Sequence, residues 1–174
     1  MDTGIRSSAN PDRSALAKQG LIGGMVAGIV FAMFEMIMAA VLNGASAFFM
    51  PLRLIGAIVL GQEALMPGYS LVGAAITGAI VHMILATMFG LVLAVLLSAL
   101  PATARSAAMT VAIASVYGFV LWVVNFYVIA PIGGWDWFPR TNETVQFFAH
   151  TFFFGSVLGA WLSRVSHEPR GTRS

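Results

Sequence analysis

Long apolar runs separated by short polar breaks dominate the chain. Four of them, residues 21–42, 71–100, 107–132 and 144–162, reach the roughly 20 residues that a helix needs to cross the hydrocarbon of a bilayer. They predict spans over about 20–42, 71–98, 106–130 and 142–164. A fifth run, residues 47–61, is shorter and carries Pro51 and Arg53. It predicts a short outer helix over about 51–61, interfacial or re-entrant, with Pro51 in the first turn where a missing N–H costs little. The expected fold class is therefore all-α: a polytopic membrane protein built as an antiparallel four-helix transmembrane bundle plus that short helix. One domain, 20–165, lies between a polar tail at 1–19, expected to be disordered and cytoplasmic, and a cytoplasmic tail at 166–174.

The breaks carry turn chemistry. Asn43-Gly44 closes the first span, Pro67-Gly68 precedes the second, and Leu100-Pro101 begins a tight inner turn. The outer connection at 131–141 holds Gly134-Trp135-Asp136-Trp137-Phe138-Pro139, aromatic residues of the kind that favour the membrane–water boundary. Asn142 or Thr141 is placed to cap the fourth span, with Glu143 near the positive end of its helix dipole.

Small residues mark faces that pack. Gly20, Gly24 and Gly28 recur at every fourth position in the first span; Ala74, Gly78, His82, Ala86 and Gly90 do so in the second. Thr151, Gly155, Gly159 and Ser163 do so in the fourth. Lipid gives helices no hydrophobic reason to associate, so close backbone approach at small residues takes its place. Such stripes fit a compact bundle, a homo-oligomer or a larger membrane complex equally well.

Composition agrees with the pattern: 59% of the 174 residues are hydrophobic and only 9% charged, against about a quarter charged in soluble domains. Zero cysteines exclude disulfides, thiolate metal sites and covalent c-type haem. The basic pI, near 9.5, does not point to nucleic acid, because the cations are not interleaved with aromatics. Their placement reports topology instead. Arg6, Arg13 and Lys18 precede the first span, Arg105 lies between the second and third, and Arg164, Arg170 and Arg173 follow the fourth. Only Arg53 and Arg140 fall on the other side, so the positive-inside rule places both termini in the cytoplasm. Ala45-Ser46-Ala47 resembles a signal-peptidase site, but the run before it is too long and holds a carboxylate. An uncleaved first span is expected.

Against this background three ionisable residues stand out: Glu35, His82 and His150. Such groups in hydrocarbon are costly, usually face inward, and often mark function. At 1.5 Å per residue, Glu35 falls about 10 Å inside the outer end of its span, His82 about 16 Å, His150 about 12 Å and Asn125 about 10 Å. Four helices thus bring polar groups to a similar depth. Glu143, Gln146 and His150 form a polar line on the fourth span, off its glycine stripe, which either turns His150 to a different neighbour or marks a wetted path from the outer surface.

Three chemical readings fit. One is a structural cluster in which Glu35 pairs with an imidazole and holds helices in register. Another is proton or ion handling, since histidine titrates near neutrality and Glu/His chains form intramembrane relays. The third is a haem or divalent metal held by His82, His150 and Glu35, with Gly78 and Gly155 leaving room for a haem ring; each ligand would come singly from its own helix. The ten methionines read as core filler rather than copper ligands. Phe147, Phe148 and Phe152 to Phe154 read as lipid-facing or packing surface. Asp136, Arg140 and Glu143 are either a substrate entrance or a solvated loop. No catalytic triad, phosphate loop or HExxH helix is present.

The order of features resembles the YagU-like family of small bacterial inner-membrane proteins: a glycine-bearing first span with Glu35, a short outer helix, a span with His82, the loop Gly134-Trp135-Asp136-Trp137-Phe138-Pro139, and a last span with Asn142-Glu143 and His150. The resemblance covers about 20–165 and implies a polytopic inner-membrane protein with no established reaction. The functional expectation is proton-coupled transport or ion handling through the buried polar layer. A non-catalytic accessory subunit of a respiratory or photosynthetic complex is the alternative.

Overall fold

The structure is a computed structural model and describes residues 13–101 and 106–166. Both outermost tails and the tip of the inner turn, including Arg6, Arg105, Arg170 and Arg173, lie outside the described residues. Helices account for nearly everything else, and no strand occurs among the described residues. Four helices are long and apolar enough to cross a membrane: α1 (Arg13–Asn43), α3 (Leu71–Ser98), α4 (Ala107–Gly133) and α5 (Glu143–Arg164). Between α1 and α3 lies the short helix α2 (Met50–Leu60), with Pro51 in its first turn.

Helix ends follow from local chemistry. Ser70, Ser106 and Asn142 cap α3, α4 and α5, each side-chain oxygen accepting a backbone N–H three residues on. This satisfies donors that a helix start leaves orphaned. At the end of α4, Gly134 adopts the left-handed conformation (φ 70°). The Trp135 N–H then reaches back to the Ala130 carbonyl and the Gly134 N–H to that of Pro131, a Schellman closure. Two helices extend past their expected limits. α1 begins at Arg13, so residues 13–19 are helix rather than tail, anchored where the Trp161 indole donates to Gln19 at 3.1 Å. α4 continues beyond 130 through Pro131, because a π-helical segment, Asn125–Ile129, absorbs the hydrogen bond that proline cannot make.

The glycines explain who packs on whom. Gly23 and Gly24 face different neighbours on α1: a Cβ on Gly23 would strike Trp161 and Leu158 of α5, and one on Gly24 would strike the Ala86 carbonyl of α3. α1 is therefore the central helix, with α3 on one side and α5 on the other. Gly20, Gly24 and Gly28 all abut the Ala86–Gly90–Ala94 edge of α3. Gly155 and Gly159 instead abut α4 at Ala114 and Val111. Gly78 faces outward to α2, where a Cβ would overlap the Leu52 carbonyl. The lateral order is α2–α3–α1–α5–α4, and α3 and α4 barely touch.

The outer apolar surface forms stripes at helical spacing, such as Val72, Ile76, Ile80 and Ile84 on α3, as helix faces turned to lipid require. Met25, Met33 and Met88 belong to this surface, and Met36 is buried. Methionine here is mostly outer surface, which corrects the expectation of core filler.

Candidate functional site: an intramembrane cavity between α3 and α4

Because α3 and α4 stand apart, a cavity of about 330 Å³ remains between them. α1 and α5 contribute its inner wall, α2 and the aromatic loop its remaining lining. Glu35, His82, Asn125, Gln146 and His150 all line it, so every long helix gives it at least one polar side chain. The rest of the wall is apolar and largely aromatic, including Phe31, Phe89, Phe126 and Phe154.

Glu35, Gln146 and the two histidines are each held by a specific partner. Glu35 is buried, and the Gln146 side-chain amide nitrogen lies 2.9 Å from both of its carboxyl oxygens. The expected Glu35–imidazole pair is thus replaced by a carboxyl–carboxamide pair between α1 and α5. The His82 Nε2–H donates to the Gly28 carbonyl at 2.8 Å, an acceptor made reachable by the close approach of α1 and α3. The His150 Nδ1–H donates to the Gln146 carbonyl one turn earlier at 2.9 Å. Both imidazoles flank the Phe31 ring, with centroids at 5.2 Å for His82 and 4.8 Å for His150. They are therefore no further apart than those two steps together. Phe126 packs on the other side of His150 at 5.6 Å. Among the described residues none hydrogen-bonds the Asn125 carboxamide, which lies at the start of the α4 π segment.

His150 also lies in a π segment, Ala149–Ser156 of α5. Proline accounts for the one in α4; α5 contains no proline over its span. Widened turns of this kind concentrate at functional sites, since they re-aim side chains that a regular helix would hold elsewhere. Here they flank the cavity on both of its later helices.

Several expectations are corrected by this geometry. Glu143 is exposed, accepts from the Tyr127 hydroxyl at 3.0 Å, and does not line the cavity. The polar line Glu143–Gln146–His150 is therefore broken at its outer end, because Gln146 turns to Glu35. The residues named as metal ligands do not assemble as one: among the described residues no group of three His, Asp or Glu side chains is placed to hold a metal ion. A haem between the histidines would have to displace Phe31, and the space expected beside Gly78 and Gly155 is filled by α2 and α4. Arg53 donates to the Ala64 and Met66 carbonyls at 2.6 and 2.8 Å and ties down the segment after α2.

The aromatic lining was missed in the sequence. Phe31, Phe126 and Phe154 sit in apolar runs and carry no signal of their own. Trp135 and Phe138 are aromatics of the kind that favour the membrane boundary, yet both also line the cavity. Trp137 fixes the loop over α2 by donating its indole N–H to the Leu54 carbonyl at 3.1 Å. No protein-family profile matches the chain, and neither a curated protein nor a solved structure matches it significantly.

Proposed function

We propose that the protein exchanges protons against a small solute through this cavity, as a four-span protein of a bacterial inner membrane. In this reading the long helices form an antiparallel bundle with both termini cytoplasmic, and α2 is the interfacial or re-entrant element over the outer mouth. The skew of cations along the sequence supports that orientation: Arg6, Arg13, Lys18, Arg105, Arg164, Arg170 and Arg173 belong to one side, and only Arg53 and Arg140 to the other. The order of features shared with the YagU-like family belongs to the same reading.

One observation carries the proposal. A carboxyl, two imidazoles and two carboxamides, supplied by all four long helices, line a single cavity in an otherwise apolar interior. Ionisable groups are kept at such depth where a proton or ion must pass. Glu35 is the acidic residue among them, and His82 and His150 are the groups able to take a proton from it or return one.

The test is solute-driven dissipation of a pH gradient in proteoliposomes, across matched cationic, neutral and anionic solutes. Wild type should dissipate the gradient with at least one of them, and Glu35→Gln should behave like empty liposomes. If Glu35→Gln and His82→Ala leave the flux unaltered but weaken co-purification with another membrane complex, the accessory-subunit reading replaces this one.

A further inference from the structure

The hydrogen bonds around the cavity restrict what it can hold, and the inference rests on the exchange reading above. Both imidazoles use an N–H on a backbone carbonyl, which leaves His82 Nδ1 and His150 Nε2 without a partner among the described residues. In the neutral ring these remaining nitrogens are acceptors. The Gln146 side-chain nitrogen is committed to Glu35, which leaves the Gln146 side-chain oxygen Oε1 as another acceptor. Glu35 offers its carboxyl oxygens. On the donor side, among the described residues, stand the neutral Asn125 carboxamide and the Trp135 indole, the Thr141 hydroxyl being spent on the Phe138 carbonyl. Among the described residues no lysine or arginine lines the cavity.

An anionic head would therefore meet a carboxyl with no fixed cation to offset it. A hydrogen-bond donor bearing positive charge meets the opposite: acceptors, one acidic group, and ring faces. Phe31, Phe89, Phe126 and Phe154 lie within the same wall, and aromatic faces attract desolvated cations. Their apolar bulk suits a hydrophobic body as well.

We propose that the cavity binds an amphipathic ammonium, a protonated amine carrying an aromatic or aliphatic body, whose head replaces the proton on Glu35. The balance is one cation in and one proton out. The Glu35 carboxyl releases its proton to water, and the ammonium supplies the positive charge that the resulting carboxylate needs in an apolar setting. Proton and ammonium exclude one another because a single carboxyl serves both. The titratable groups facing the cavity are Glu35 from α1, His82 from α3 and His150 from α5; α2 and α4 contribute none.

A matched series separates the head from the body: 3-phenylpropylamine, 3-phenylpropanol and 3-phenylpropionate share one skeleton. Binding is measured by titration calorimetry on detergent-solubilised, full-length protein at neutral pH. The amine should bind at least about ten-fold more tightly than either of the others, a difference within the range of one desolvated cation contact. Glu35→Gln should remove that preference, and Glu35→Asp should retain it. Amine binding should weaken as pH falls, and that dependence should be absent in Glu35→Gln. Equal binding of amine and alcohol, or tighter binding of the propionate, overturns the inference on wild-type protein alone. Glu35-dependent flux with an anionic solute would leave proton exchange standing and remove the ammonium. Glu35-dependent amine binding without flux for any solute would do the reverse.

Discussion

At the level of single residues, the contact that decides most is Glu35 with Gln146. It joins α1 to α5 inside the cavity wall, where a polar group left without its partner costs about 1–3 kcal/mol and more if charged. Replacing Gln146 by Leu strands the carboxyl; replacing Glu35 by Met strands the amide. Each single change should therefore lower the thermal unfolding midpoint in detergent, Gln146→Leu the more. The double replacement removes both polar ends and should cost less than the two singles added together. Strict additivity would mean that the two groups do not depend on each other.

The histidines make a second residue-scale prediction. His82 donates from Nε2 and His150 from Nδ1, so in their neutral forms they are opposite tautomers, each fixed by the carbonyl it faces. Nitrogen-15 solid-state NMR of histidine-labelled protein in lipid should show one ring of each kind. Two identical tautomers would contradict the hydrogen bonds that leave the acceptors in the cavity.

Among the helices, what could be read in the sequence was what depends on neighbours along the chain. Long apolar runs, Asn142 as a cap, and glycines at every fourth position are local patterns, and each appears in the structure. Which stripe meets which partner is not local. Gly78 belongs to the same periodic series as Gly90, yet one meets α2 and the other α1, because a stripe on a long helix can be shared between neighbours at different depths. The depth of Glu35, Asn125 and His150 was likewise readable by counting residues, whereas Gln146 as the partner of Glu35 required knowing how α1 and α5 are turned towards each other. The π segments left no apolar periodicity to read. Pro131 hints at the first, and the second has no comparable marker.

α2 gives this level its test. Its attachment to α3 rests on the Gly56–Gly78 contact, where a Cβ on Gly56 would overlap the Ala74 carbonyl. Backbone atoms cannot yield as a flexible side chain can, so Gly56→Ala should cost about 1–3 kcal/mol in that contact. The loss should be confined to α2 and the loop that Trp137 ties to it. Faster hydrogen exchange in residues 50–60, with exchange in α1 and α5 unaltered, is the expected result. Uniformly faster exchange would mean that α2 is integral to the packing of the long helices.

For the whole molecule, the row α3–α1–α5–α4 matters more than any single contact. Its α3–α1 and α5–α4 junctions are closed by glycine-mediated backbone approach and its α1–α5 junction by Trp161 and Leu158 seated on Gly23, but its two end helices, α3 and α4, barely meet. Bundles in lipid hold together where small residues let helices touch, so the junction lacking them is the one that can part. Its hydrogen bond among the described residues runs from the Tyr117 hydroxyl on α4 to the Phe89 carbonyl on α3, at 3.0 Å, and Phe89 also lines the cavity. Tyr117→Phe removes that bond while keeping the ring, at about 0.5–1.5 kcal/mol. A loss of that size should loosen the seam by up to about ten-fold while leaving Glu35 and Gln146 in place. Amine should then associate faster with little change in the dependence on Glu35, as stopped-flow binding would report. The chain has no cysteine, so spin labels placed singly on α3 and α4 can follow the same opening without background. An unchanged association rate together with unchanged label distances would show that solute reaches the cavity past α2 and the aromatic loop instead.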